Sequence, residues 1–163
     1  MSATQSDADR VVLLRAIQIE ARNAGVYDSL AQLFEGYDDP VTAIFREMVV
    51  EERRHGAELE HRYHARFGPV PSPTGEPKEV IEAPDLDDPE ALIFDSMTVE
   101  QALEAGLRAE ETAREFYRQE ITRTYDPDLR KAYRELSEFE ETHVRLLKEK
   151  LEEKRGAPGS AVR

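Results

Sequence analysis

Two short stretches of this chain set a carboxylate beside an imidazole. In "EERRH", residues 51–55, Glu52 stands three places before His55; in "FEETH", residues 139–143, Glu140 stands three places before His143. Residues three apart share one face of a helix, so each Glu-x-x-His would aim an oxygen and a nitrogen at one point. Oxygen and imidazole donors together suit a divalent metal. Both pairs also continue apolar rows. Phe45 and Met48 lead through Glu52 and His55 to Leu59, and Leu136 leads through Glu140 and His143 to Leu147. Charged groups on a core-facing row need something in the core to hold.

The two motifs sit in two copies of one pattern. "IEARNAGVYDSL" (19–30) aligns with "AEETAREFYRQE" (109–120) at an offset of 90, so that Glu20 falls on Glu110 and Tyr27 on Tyr117. "FREMVVEERRH" (45–55) aligns with "YRELSEFEETH" (133–143) at an offset of 88, which pairs Glu52 with Glu140 and His55 with His143. Glu51 falls on Phe139, so Glu52 is the acid with an acidic twin. A duplicated helical hairpin can close into a four-helix bundle with a pseudo-twofold axis.

On that bundle Glu20, Glu52, His55, Glu110, Glu140 and His143 all belong to inward rows and would meet near mid-height. Four unpaired carboxylates in an apolar interior would cost roughly several kcal/mol each. They would also repel one another, and some would take up protons. Two divalent cations balance four negative charges and remove both costs. A sulfur-free set of this kind suits iron or manganese, with zinc also able to bind. Glutamate makes up about one residue in seven of this chain, so a single Glu-x-x-His has little weight. Two at equivalent repeat positions, each with a partner glutamate seven places before a tyrosine, have much more. Tyr27 and Tyr117, two turns from Glu20 and Glu110, could donate hydrogen bonds to these carboxylates or simply pack in the core. His61 and His64 in "HRYHARF" read as surface residues.

Four helical stretches position these groups. The first runs from about Asp9 to about Glu35, with Leu13, Ile17, Ala24, Ala31 and Phe34 on its apolar row. In "GYDDP" Asp39 can cap and Pro40 can take the first helical position of the second helix, which stops before Gly68. Residues 68–97 carry six of the nine prolines and read as a long crossover along the bundle. "TVEQ" then predicts a capping box from Thr98 to Gln101. The third helix continues to about Arg123, and Asp126-Pro127 starts a fourth that runs to about Glu153. The expected layout is a single all-α, ferritin-like domain over 9–153: hairpin 9–67, crossover 68–97 and hairpin 98–153. Residues 1–8 and 154–163 are expected to be disordered.

Composition narrows the function. A chain of 163 residues with 39% hydrophobic and 35% charged residues has room for one core. A formal net charge of −13 argues against nucleic acid, whose phosphates need a basic patch. No apolar run is long enough to span a bilayer, and the start does not read as a secretion signal. There is no cysteine, which excludes disulfides, a thiolate nucleophile and a cysteine-held zinc or iron centre within these residues. A cytoplasmic address agrees with that.

These residues resemble the rubrerythrin-like branch of the ferritin-like superfamily. The resemblance rests on "AIQIEARNAGVY", "EERRH", "LRAEETAREFY" and "FEETH" and covers about residues 11–153. It implies that Glu20 and Glu110 are terminal ligands, that Glu52 and Glu140 bridge two iron ions, and that His55 and His143 bind one each. It further implies oxidation of Fe(II) by O2 or H2O2 in iron handling or oxidative-stress defence, in a homodimer that the long crossover could let exchange helices. Peroxide-reducing rubrerythrins typically carry a four-cysteine rubredoxin domain. Many also have an acid one turn after the third-helix glutamate, where this chain has Ala113. Electrons would therefore come from a separate donor protein or from Fe(II) itself. The other readings are a non-catalytic iron-binding or delivery module and a structural bundle stabilised by metal.

Overall fold

The computed structural model describes residues 3–71 and 97–156, and these form four α-helices. The helices are α1 (Ala3–Phe34), α2 (Asp39–Phe67), α3 (Val99–Arg123) and α4 (Pro127–Gly156). No strand occurs among the described residues. Helix α1 packs along α2 and α3 along α4, and the two hairpins meet where α1 approaches α3. This is the ferritin-like bundle expected from the repeat.

Local chemistry sets most helix starts. Thr98 Oγ1 accepts from the Gln101 amide at 3.1 Å, and Gln101 Oε1 accepts from the Thr98 amide at 2.8 Å, which completes the expected capping box. At α4, Asp126 Oδ1 accepts from the amides of Asp128 and Leu129 at 2.9 and 3.0 Å. The start of α2 differs by one residue from expectation. Asp38 rather than Asp39 is the cap, accepting from the Val41 amide at 3.2 Å, and Pro40 sits within the first turn. Proline is tolerated there because those amides have no partner inside the helix. Gly36, at φ 75°, carries the chain through the α1–α2 turn in a conformation that side chains disfavour. The two extra residues of the first copy are divided between one more residue of helix and one more of turn.

Helix α1 begins at Ala3, so residues 3–8, expected to be disordered, are helical instead. Tertiary contacts at the neighbouring level account for this. Asp9 is buried and meets Thr124 Oγ1 at 3.4 Å, while Arg10 Nε donates to Tyr63 Oη at 3.0 Å. With the helix held there, each added residue propagates at little cost. Helix α4 likewise runs on to Gly156. Residues 72–96, which hold most of the expected crossover, and 157–163 of the expected disordered tail lie outside the described residues.

The core has two apolar layers. One contains Leu30, Phe34, Phe45, Met48, Leu103 and Leu147; the other contains Leu13, Leu59, Ala113, Leu129, Tyr133 and Leu136. Between them lies a polar layer at mid-height.

Candidate metal centre

The polar layer is made of the six residues singled out above. Each of the four helices contributes one glutamate, and α2 and α4 each add a histidine one turn further on. Glu20, Glu52, Glu110 and Glu140 are fully buried, with His55 and His143 nearly so. The residues fall into two sets: Glu20, Glu52, His55 and Glu140; and Glu52, Glu110, Glu140 and His143. Within each set, one ligand atom per residue lies within 4.8 Å of all the others. Glu52 and Glu140 belong to both.

Around His143, Nδ1 lies 3.1 Å from Glu110 Oε2, 3.4 Å from Glu52 Oε1 and 3.5 Å from Glu140 Oε2. Around His55, Nδ1 lies 3.4 Å from Glu20 Oε2. The tyrosines act across the pseudo-twofold axis. Tyr27 on α1 donates to Glu110 Oε1 on α3, and Tyr117 on α3 donates to Glu20 Oε1 on α1. Of the two roles left open for them, hydrogen bonding to the carboxylates is therefore realised. Tyr27 also reaches the Gly106 carbonyl at 3.2 Å. A Cβ at Gly106 would lie 3.1 Å from the Tyr27 ring, so glycine permits this approach.

Without a cation this layer is poorly satisfied. Glu20 Oε2, both oxygens of Glu52, both of Glu140 and His55 Nδ1 are buried with no hydrogen-bond partner. Such groups are costly when left bare, and all of these are metal-ligand types pointing at one place. Burial, reinforced by the nearby carboxylates, pushes the Glu52 carboxyl up to about 9. Burial and the adjoining Glu110 push Glu140 well up too. Burial acts the same way on Glu110, but contacts with Glu140, His143 and Tyr27 outweigh it and hold Glu110 low. At His143, burial lowers and the carboxylates raise; the carboxylates win, and its proton is held strongly. Burial, then the facing carboxylates, push Tyr27 and Tyr117 well up, so both remain hydrogen-bond donors. The donor set fits two cations, which would replace retained protons and meet the bare oxygens.

Four further contacts were not legible in the repeat. Glu51 Oε2 lies 2.5 Å from His143 Nε2, on the side of the ring away from the carboxylates. At the equivalent place around His55 stands Phe139, with ring centroids 4.9 Å apart. Arg54 Nη2 approaches His55 Nε2 at 3.4 Å and also covers the Phe139 ring, 5.3 Å from its centroid. Pairing Glu51 with a phenylalanine hid the first contact, although an acid that breaks the repeat beside a ligand motif was its one signal. His61 and His64 are exposed and away from the layer, as their sequence context suggested. Ala113 is buried in an apolar layer and offers no donor.

The family model described as Rubrerythrin matches residues 12–154. Among solved structures, an uncharacterized conserved protein from Magnetospirillum magnetotacticum shares 22% identity at a TM-score of 0.68, covering 93% of this chain and 97% of its own. A hypothetical protein from Pyrococcus furiosus shares 23% identity at a TM-score of 0.65, covering 88% and 87%. A Rhodobacter capsulatus bacterioferritin, described with a metal-free dinuclear site and a heme iron, shares 19% at a TM-score of 0.70 and covers 99% of both chains. These likenesses establish the fold. No curated protein matches the chain.

Proposed function

Because the chain belongs to the rubrerythrin family, we propose that it is a non-haem di-iron carboxylate protein that oxidises Fe(II) with O2 or H2O2, in iron handling or oxidative-stress defence in the cytoplasm. The observation that carries this reading is the pair of four-residue donor sets sharing Glu52 and Glu140. In this reading Glu20, Glu52, Glu140 and His55 would hold one ion, and Glu110, Glu52, Glu140 and His143 would hold the other. Iron is the expected metal, and manganese or zinc would suit the same donors. The dinuclear site named for the bacterioferritin of the same fold agrees with the assignment.

The bound pair would supply one electron from each iron to the oxidant. All else is the work of the chain. The two apolar layers above and below the centre exclude bulk water. Tyr27 and Tyr117 orient Glu110 and Glu20 by hydrogen bonds, leaving each carboxylate a second oxygen for a cation. Glu52, Glu140 and His143 hold protons until loading displaces them. When H2O2 is the oxidant, two electrons and two protons convert it to two waters. These 163 residues hold no cysteine, so electrons for repeated turnover would come from Fe(II) or from a donor outside them.

The test is an anaerobic Fe(II) titration followed by oxidation in the optical spectrum. A break at two metals per chain is expected, and a titration with no saturation overturns the reading. Rapid, repeatable oxidation on mixing with peroxide marks turnover, whereas a single slow event marks delivery.

A further inference from the structure

We propose that the two metal positions are unequal: the one beside His143 is tight and resident, and the one beside His55 is weak and exchanges with solution. This rests on the di-iron reading above, and it comes from residues outside the ligand set.

A histidine that binds metal through Nδ1 must carry its ring proton on Nε2. Around His143 the outer half of that arrangement is already made. Glu51 Oε2, an acceptor, stands 2.5 Å from Nε2, so the Nε2 proton keeps its partner when a cation takes the place of the second proton, on Nδ1, which faces Glu110 Oε2 at 3.1 Å with Glu52 and Glu140 close by. A carboxylate in this place fixes the ring and raises its basicity as a ligand.

Around His55 the polarity is reversed. The group nearest Nε2 is the Arg54 guanidinium at 3.4 Å, which has donors and no acceptor. That contact favours a bare Nε2. The ring proton then sits on Nδ1, where it faces Glu20 Oε2 at 3.4 Å. Loading a metal there requires the proton to move to Nε2 and Arg54 to swing away. Phe139, on which Arg54 rests, offers the displaced N–H no acceptor. A cavity of about 30 Å³ adjoins this same histidine, lined by Glu58, Arg62, Glu135, Leu59, Leu136 and Phe139. Its three charged residues, with room for about one or two waters, bring solvent up to this side of His55. Glu51 is therefore a positioning residue that acts through His143, and Arg54 opposes loading at His55.

The probe is Co(II) added to the metal-free full-length chain, read by visible absorption and by the hyperfine-shifted imidazole N–H resonances in proton NMR. The native chain should bind two Co(II) in distinct steps, the first at least ~10-fold tighter. That first step should show a slowly exchanging ring N–H. Glu51→Ala should weaken the first step by ~10- to 100-fold and speed exchange of that proton, with the second step unchanged. Glu51→Gln, which keeps an acceptor oxygen, should restore most of both. Arg54→Ala should tighten the second step alone. Both side chains are substantially exposed, and an unchanged circular dichroism spectrum would confirm the fold of each variant. Two equal steps in the native chain, or a Glu51→Ala variant that leaves the first step unaltered, overturns the inequality while the di-iron reading stands. Failure of the native chain to bind Co(II) at all overturns both.

Discussion

On the outer side of His143 the bundle places a carboxylate, and on the outer side of His55 it places a phenyl ring and a guanidinium. Both histidines come from equivalent positions of one repeat, and the carboxylates they face are equivalent as well. The inner halves of the site are thus copies while the outer halves have diverged. The inner copies must agree because they share Glu52 and Glu140 in one buried volume, where a change on one side leaves charge uncompensated on the other. The outer positions are partly exposed. Water can satisfy whatever stands there, which leaves them free to distinguish one half from the other.

Removing what the halves share should have the largest effect. Glu52→Leu/Glu140→Leu should abolish any metal-dependent rise in melting temperature. It should also stabilise the metal-free bundle, by about 1–4 kcal/mol, because buried carboxyls are replaced by apolar groups of similar size. Thermal melts with and without anaerobic Fe(II) check both. A double variant that still gains stability from metal would show that the halves do not meet through this pair.

Changing pH probes the same shared layer at smaller amplitude. Folded Glu52 keeps its proton up to about 9, and Glu140 and His143 are also shifted upwards. Unfolded carboxyls and imidazole release theirs at ordinary, lower values. Between those limits the folded chain binds more protons than the unfolded one, so stability falls as pH rises. Glu110 is shifted the other way, and its contribution is already complete above the ordinary carboxylate range. The melting temperature of the metal-free chain should therefore drop from pH 6 to pH 9. That of the metal-loaded chain should not, since cations have displaced those protons. A flat metal-free profile would mean that the layer does not store protons.

A smaller inequality lies one step out, at the tyrosines. Gly106 makes room for Tyr27, whereas the repeat-equivalent position in α1 is the buried Ala16. Gly106→Ala should cost about 0.5–2 kcal/mol, because crowding of the Tyr27 ring outweighs the gain in helix propensity. Ala16→Gly should cost about 1–2 kcal/mol through helix propensity and the loss of one buried methyl. Urea denaturation checks both, and a Gly106→Ala variant no less stable than the native chain would show that Tyr27 does not need the space.

Much of this protein was legible before any coordinates. Helix periodicity, the Thr98–Gln101 box and the Asp-Pro turn at 126–127 are local signals, and each produced its element. The six inward residues could be read because a duplication checks itself: each Glu and His on a core row has a twin. The boundary near Asp9 could not be read, because contacts with Thr124 and Tyr63 from distant parts of the chain hold α1 there. Nor could the tyrosine pairing, which crosses between hairpins.

What the sequence determined by itself was the chemistry of the inner layer and the helices that bear it, since both follow from residue type at fixed spacing along one chain. What only the tertiary structure decided was which half of the site each outer residue serves. Glu51 lies in the same motif as His55 and yet acts on His143. The physical reason is that a side chain one place along a helix from an inward residue turns roughly 100° around the axis and so meets whatever helix is packed beside it, a neighbour that no local spacing specifies.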